Sequence, residues 1–508
     1  MPATLNSLSA KLRESPDHFD AREVYFLTDL QQTTWIPDVA PDGKEDSSQG
    51  KVLAEIQKRA RTIFVDVGRD GVNNLAVTSL ALNDPLVTTN ANISFTSQVK
   101  NFGLQPKQNL NIRLSTARWP AAAREPEWRL VHTESRDVRP GEEVAVNFTH
   151  KFTAAGTYAV RVSIDEDDLR LDDSRTVVVT VKDYVPVLVV NGKSALDRFD
   201  RATTYLTMSL NPFPKERTPA FVVLRPRVVS PAQFSDANLT NLGDYDCVFL
   251  CDAGPVGGGE VRRLDTFVRR GGGLVVTAGD NVAKHLESYN RLLYKGDQGL
   301  LPAKLLGVQQ APPEHYFTLR PTDGWGGPLL KAFSDDADRI ALQNSRFHQY
   351  LRIDAANDAG VRRVLSFSPE VLQGSKVKLD NPLPINEPAL IEWNPPVQID
   401  DKVKPKTAKE KAAAALRGVA RYRGKVVLLT TTVNMDWNSW PASPSFPAMM
   451  QELTRFAVSG KLREQQTIVG NILEEVCAGG AELDAELIVP GEESPHKITT
   501  VEIGRAHV

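Results

Sequence analysis

The stretch GGGLVVTAGD (residues 271–280) places a short apolar run between a group of glycines and a turn of small residues. Glycines commonly end a helix, and an apolar run of this length is typical of a buried strand. Because a helix can begin at Asn281, the stretch predicts a strand, a tight turn and a helix. In several families of α/β enzymes this turn carries the nucleophile, and Thr277 is the candidate at the turn here.

Similar units lie on both sides of this stretch. Strands that alternate with helices predict a doubly wound parallel sheet. We predict this sheet for residues 184–460, with an insertion at about 301–420. The strands are expected at YVPVLVVNG (184–192), AFVVLRPRVVS (220–230) and Cys247–Cys251, and the helices at SALDRFDRATTYLTMSLNP (194–212) and GGEVRRLDTFVRRGG (258–272).

The order of these strands and helices resembles the class I glutamine amidotransferase-like fold. In that family a strand, an elbow and a helix present a cysteine, and a later histidine supplies the base. The turn in this chain contains no cysteine, so Thr277 and Cys251 are the remaining candidate nucleophiles. We interpret Cys251 as a small apolar core residue. His285, His315 and His348 fall in no triad pattern, and we therefore predict an elbow without catalytic residues.

Residues 71–183 have a different pattern, in which apolar and polar residues alternate in short runs separated by turn residues. Six or seven such strands over about 110 residues predict an immunoglobulin-like β-sandwich. The ordered series VKNFG (99–103), RPGEEVAVNF (139–148) and AAGTYAVRVSID (154–165) resembles the CARDB domain, a bacterial cell-adhesion-related family. The resemblance implies an adhesion-type binding module.

An acidic run, Asp165-Glu-Asp-Asp168, precedes Asp172 and Asp173 in the same segment. Clustered carboxylates can bind calcium, but the spacing of these residues does not match an EF-hand loop. We therefore interpret the run as a solvated loop between two strands.

Residues 1–70 contain REVYFLTDLQQTTW (22–35), which predicts a strand followed by Asp29, and a second strand is expected at 61–67. This arrangement resembles the second half of a von Willebrand factor A domain. In that family such an aspartate completes a metal-ion-dependent adhesion site, and a carboxylate at a strand end suits a hard cation. The family's first metal motif is absent here. We therefore expect no cofactor in this chain, a divalent cation only in a longer protein, and an incomplete site at Asp29.

Both ends of the chain are expected to be truncated. The sequence AELIVPGEESPHKITTVE (485–502) predicts the first hairpin of a further β-domain, which would begin near residue 461. Residues 503–508, IGRAHV, back-translate to a widely used sequencing adapter. We predict that these six residues make no packing contacts.

The order of the segments resembles large membrane-anchored bacterial proteins with a BatA-like (aerotolerance regulator) N-terminal region. The resemblance implies membrane helices outside this chain, domains on the periplasmic side of the bacterial cell membrane, and protein partners. The net charge of -3 gives no reason to expect a nucleic-acid partner.

These observations favour a non-enzymatic envelope protein that presents adhesion-type and interaction modules. One alternative is a hydrolase or amidotransferase-like enzyme that uses Cys251 or Thr277. A second alternative is metal-dependent partner binding by a complete von Willebrand A domain.

Overall fold

The computed structural model describes most of the chain. The described residues are 2–14, 21–29, 48–68, 73–83, 86–119, 127–167, 169–213, 218–219, 222–333, 335–356, 360–375, 377, 382–396, 421–460, 474–476, 484–487, 496–499 and 505–507. Asp168, Cys477 and residues 397–420 lie outside them, as does part of the 22–35 motif.

The N-terminal part is a small α/β unit. Its two strands, β1 and β2, are parallel, with Glu23 opposite Arg61, and two helices accompany them. Parallel strands require a crossover connection, and the second helix lies within that crossover. The bounds are α1 Pro2–Glu14, β1 Glu23–Thr28, α2 Ser48–Arg59 and β2 Arg61–Asp66.

The middle segment contains the strands predicted from its alternating pattern. They form one antiparallel sheet in the order β3-β4-β7 and another in the order β6-β5-β8-β9. Alternate residues of both sheets, such as Phe95, Leu114 and Val160, are buried in one shared core. The bounds are β3 Leu75–Leu82, β4 Asn92–Asn101, β5 Lys107–Arg118, β6 Arg129–Val138, β7 Glu143–Lys151, β8 Gly156–Ser163 and β9 Ser174–Val181.

The third segment is an α/β structure around an eight-stranded sheet in the order β11-β10-β12-β13-β19-β18-β17-β15. The strands of this sheet are β10 Val185–Asn191, β11 Leu224–Val229, β12 Cys247–Cys251, β13 Gly273–Thr277, β15 His315–Pro321, β17 Arg362–Val371, β18 Glu387–Trp393 and β19 Val426–Leu429. Strands β14 Ala303–Gln310 and β16 Gln349–Ala355 form a separate two-stranded sheet. The helices are α3 Thr204–Leu210, α4 Pro231–Ser235, α5 Gly258–Arg269, α6 Asp280–Lys284, α7 Leu286–Tyr289, α8 Asp336–Gln343 and α9 Ser445–Val458.

The prediction of a wholly parallel sheet is wrong at one edge. Strands β11, β10, β12, β13 and β19 are parallel, whereas β18, β17 and β15 continue the same sheet antiparallel. These three strands come from the segment expected to be an insertion. The strand predicted around Leu274 is confirmed as β13, which lies between β12 and β19.

Helices cover both faces of this sheet. Odd-numbered residues such as Val189 and Phe249 share a core with Leu206 of α3 and Met449 of α9. Even-numbered residues such as Leu250 and Val276 pack with α5 on the other face, through Val261, Leu264, Phe267 and Val268. Strand side chains alternate between faces, so one apolar run supplies both cores.

The C-terminal strands form two small antiparallel pairs. Strand β21 (Asp484–Leu487) pairs with β22 (His496–Thr499), the hairpin predicted there. Strand β20 (Glu474–Val476) pairs with β23 (Arg505–His507). We predicted no packing contacts for residues 503–508, and Arg505–His507 do pair through their backbone with β20. No helix within the described part of the chain combines the length and apolar character needed to cross a membrane.

An ion pair joins the sandwich to the α/β sheet. Lys182 follows the last sandwich strand, and its Nζ lies 2.6 Å from Asp246 Oδ2, just before β12. The Asp246 side chain is almost completely buried, whereas a quarter of the Lys182 side chain is exposed. Removal of one partner from such a pair leaves a buried charge without its counter-ion.

We therefore expect Lys182→Met to lower the free energy of unfolding by about 2 kcal/mol, measured by urea denaturation at neutral pH. The matched control is Arg170→Met, because Arg170 forms a largely exposed pair with Glu166. That control should change stability by less than about 0.5 kcal/mol. Equal effects of the two substitutions would contradict a stabilising role for the junction.

Candidate functional site

The candidate site is the edge of the sheet where the parallel strands end. The chain passes from β10 to β11 on one side and then to β12 on the other, so the topology reverses next to β10. Open α/β sheets bind ligands outside the carboxyl ends of strands at such a point. The residues that end the strands or directly follow them therefore decide what this edge can do.

Cys251 and Thr277 end neighbouring strands and lie opposite each other in the parallel register. Both are fully buried. Burial, followed by the charge of Asp252, raises the pKa of the Cys251 thiol far above its ordinary value, and the Thr277 hydroxyl offsets only part of this rise. Since the thiolate is the reactive form of cysteine, this environment favours the unreactive thiol form of Cys251.

The predicted histidines have other contacts. His285 Nδ1 lies 2.8 Å from the Asn281 carbonyl oxygen, so the ring faces its own helix. His315 Nδ1 lies 2.8 Å from the Pro313 carbonyl oxygen, and His348 is exposed. Within the described ranges neither Cys251 nor Thr277 hydrogen-bonds to a histidine, the pairing that would activate either as a nucleophile.

Asp252, which directly follows β12, is the central polar group of this edge. Its Oδ1 accepts hydrogen bonds from the backbone N–H groups of Asn281 (2.8 Å) and Val282 (3.0 Å), at the start of α6. Its backbone is left-handed, with φ of 45°, and only 4% of the residue is exposed. Backbone N–H groups at an elbow can stabilise an oxyanion in an enzyme, but here the chain's own carboxylate occupies them.

The environment of Asp252 makes its charge costly. Burial raises the pKa of Asp252 to about 6, and the charges of Asp280 and Asp436 act in the same direction. The two backbone hydrogen bonds favour the ionised form and limit the rise. The two hydrogen bonds therefore hold the carboxylate in place, although burial disfavours its ionised form.

The crevice beside Asp252 is filled by backbone. Gly192 N–H donates to the Cys251 carbonyl oxygen (2.9 Å), and Asn281 Nδ2 donates to the Gly192 carbonyl oxygen (2.9 Å). A Cβ atom at Gly192 would collide with the Asp252 backbone, and one at Gly279 would collide with the Asp252 side chain. These glycines permit the loops after β10, β12 and β13 to touch directly.

Residues after β19 close the outer rim of the edge. Lys193 Nζ lies 2.6 Å from Asp436 Oδ2, which also accepts a hydrogen bond from Asn434 Nδ2 (2.9 Å). The buried Trp437 donates from Nε1 to Asp280 Oδ1 (3.0 Å). These rim groups are paired, whereas Thr277 Oγ1 and Asn191 Oδ1 at the same edge are buried without a hydrogen-bond partner among the described residues. The sequence feature that identifies Asp252 is an acidic residue directly after a buried apolar strand.

Asp29, the candidate metal ligand, is exposed after β1. The neighbouring strand ends at Asp66, whose Oδ1 accepts a hydrogen bond from Gly68 N–H (2.8 Å). Among the described residues Asp29 does not belong to a group of three side chains that could hold a metal ion. Metal binding at Asp29 stays a prediction.

No known family profile matches the chain, and no curated protein matches it. Matches among solved structures include the CARDB domain of PF1109 from Pyrococcus furiosus, solved with di-metal ions. It is 19% identical and covers 22% of this chain and 89% of that chain, with a TM-score of 0.19. A β-glucosidase from Listeria innocua is 19% identical over 23% of this chain and 17% of that chain, with a TM-score of 0.18. Similarities at this level assign neither a family nor an activity.

The raised pKa of Asp252 predicts a specific pH dependence. The folded state binds the proton more tightly than the unfolded state, so this stabilisation is full below pH 3.8 and is lost as the pH rises through about 6. Asp252→Asn keeps a carbonyl acceptor without the charge. As the pH rises from 4 to 7, we expect the unfolding free energy of the variant to increase by about 2 kcal/mol relative to that of the unmodified chain.

Urea denaturation of both chains across this pH range measures the difference. Glu287→Gln is the control, since Glu287 is an exposed acid on the adjacent helix, and it should change the free energy of unfolding by less than about 0.5 kcal/mol. A stability difference for Asp252→Asn that is independent of pH would contradict the structural role of the buried carboxylate.

Proposed function

We propose that this chain is a non-catalytic protein-binding molecule of the bacterial envelope, in which the α/β sheet is a scaffold. The Asp252 carboxylate supports this proposal, because it accepts hydrogen bonds from the N–H groups of Asn281 and Val282. It fills the position where an oxyanion would need donors, while Cys251 and Thr277 are buried beside it. A hydrolase would need those donors and one of those nucleophiles to face a substrate.

Exposed apolar side chains beside this closed edge support a binding role. The Tyr205 hydroxyl donates to Met435 Sδ (3.2 Å), and the rings of Tyr205 and Phe199 are 5.7 Å apart. Met208 lies one helical turn from Tyr205 on α3, and Leu196 precedes Phe199 in the same loop. We call these five residues the Tyr205 surface.

The Tyr205 surface fits a protein partner that contributes apolar side chains. Leu196, Phe199, Met208 and Met435 are exposed although they are large and apolar. Single exposed apolar residues are common, whereas a contiguous group at one edge is typical of an interaction site. Methionine adapts its shape to a partner, which suits such a surface.

The membrane location in this proposal rests on the resemblance to BatA-like membrane-anchored proteins. Two alternatives receive less support. An enzyme would require a different arrangement around Cys251 or Thr277. Metal-dependent binding through Asp29 would require further ligands beside an exposed aspartate.

Site-specific photo-crosslinking tests the proposed surface. A photoreactive amino acid replaces Met208, which is 46% exposed, in the chain expressed in its bacterial host. We expect one discrete protein adduct. The control replaces Leu239, which is 57% exposed, lies between α4 and β12 and is not part of the Tyr205 surface. That position should give no such adduct.

The same adducts at both positions, or none at Met208, would contradict the assignment of the Tyr205 surface. The non-catalytic part of the proposal has its own test. A hydrolase activity of the purified chain that Thr277→Ala or Cys251→Ala abolishes would overturn it.

A further inference from the structure

The loop between β8 and β9 brings three carboxylates together next to the start of β3. One oxygen from each of Asp167, Asp172 and Asp173 lies within 4.8 Å of the others. Three like charges at this separation repel each other strongly unless a cation or a proton neutralises them.

Backbone and amide donors hold these carboxylates in position. Asp167 accepts hydrogen bonds from Leu75 N–H (2.6 Å) and Leu169 N–H (2.8 Å). Asp172 Oδ2 accepts from Asn74 Nδ2 (3.2 Å), and Asp173 Oδ2 accepts from Asp167 N–H (3.3 Å). The cluster is therefore built into the fold at the point where the loop meets β3.

Several oxygen atoms of the cluster are buried and have no hydrogen-bond donor. Asp173 is only 6% exposed, and its Oδ1 has no partner within the described part of the chain. The same holds for Asp172 Oδ1 and Asn74 Oδ1. A buried carboxylate oxygen without a partner loses its hydration and gains nothing in return, so these atoms favour a bound cation or water molecule.

The nearby arginines do not neutralise the cluster. Arg113 pairs with Asp165 (2.6 Å), and Arg170 pairs with Glu166 (3.3 Å). Arg175 donates to the Val77 carbonyl oxygen (3.0 Å). The basic side chains of this region therefore have other partners, which leaves the three clustered acids without a paired cation from the loop.

Asp173 is buried beside the other two carboxylates of the cluster. The interpretation of this acidic run as a solvated loop is therefore wrong for Asp173, which lies inside the fold. A buried charge without a counter-ion is costly, so the cluster favours a bound group that neutralises it.

We propose that Asn74, Asp167, Asp172 and Asp173 bind a divalent metal cation, with Ca²⁺ preferred over Mg²⁺. All of the donors are oxygen atoms from carboxylates and one amide, and no histidine or cysteine belongs to the group. Calcium accepts mixed carboxylate and amide oxygens in irregular loops, whereas magnesium requires a near-octahedral arrangement.

The cation would connect the two sheets of the sandwich. Asp172 and Asp173 lead into β9 of the four-stranded sheet, while Asn74 leads into β3 of the three-stranded sheet. The backbones already meet there, because Val77 N–H donates to the Asp172 carbonyl oxygen (2.9 Å). A ligand that binds only the folded state stabilises it by mass action.

Isothermal titration of the metal-free chain with CaCl₂, together with thermal unfolding, tests the site. We expect a dissociation constant of about 10⁻³ M or tighter, the range of extracellular calcium modules, and a higher unfolding temperature with calcium. Asp173→Asn should weaken the affinity at least about tenfold, because it removes one ligand charge. The same substitution should raise the stability of the metal-free chain, because it removes repulsion from the cluster.

Glu166→Gln is the matched control, since Glu166 lies in the same loop outside the cluster, and its calcium affinity should be unchanged. Asp172→Asn provides a second variant if Asp173→Asn does not fold. Absence of calcium binding by the unmodified chain would overturn the proposal. Equal affinity in the cluster variants and in Glu166→Gln would overturn it as well.

Discussion

The α/β segment depends on how one buried carboxylate is accommodated at the edge of its sheet. Asp252 accepts the first free N–H groups of α6, so it fixes the turn after β13 against the end of β12. The neighbouring glycines allow the loops to approach closely enough for these bonds to form. In this closure the carboxylate of the chain itself accepts from backbone donors that could otherwise stabilise an oxyanion at the elbow.

Buried carboxylates in this chain are accommodated in different ways. Asp252 receives backbone N–H groups, and Asp246 receives the ammonium group of Lys182 at the junction between sandwich and sheet. Asp173 receives one backbone N–H, and its second oxygen has no partner within the described residues. The contrast supports the inferred cation, because an unpaired buried charge is otherwise far more costly than a paired one.

Local patterns in the sequence predicted the strands well. The apolar run at β13 is typical of a buried strand, and the alternation in the sandwich is typical of half-buried strands. The antiparallel strands β15, β17 and β18 were not assigned to the main sheet, because strand pairing is non-local and leaves no local signal. The burial of Asp173 was missed for a related reason, since an acidic run resembles a solvated loop until distant residues cover it.

Native-state alkylation of cysteine, followed residue by residue with mass spectrometry, tests the closed edge most directly. Cys247 lies at the start of β12, at the other end of the strand from Cys251, and serves as an internal reference because it is equally buried. The closed edge predicts that both thiols react together, and only as fast as the chain unfolds. Rapid and selective modification of Cys251 in the folded chain would show that the edge is open and would contradict the account.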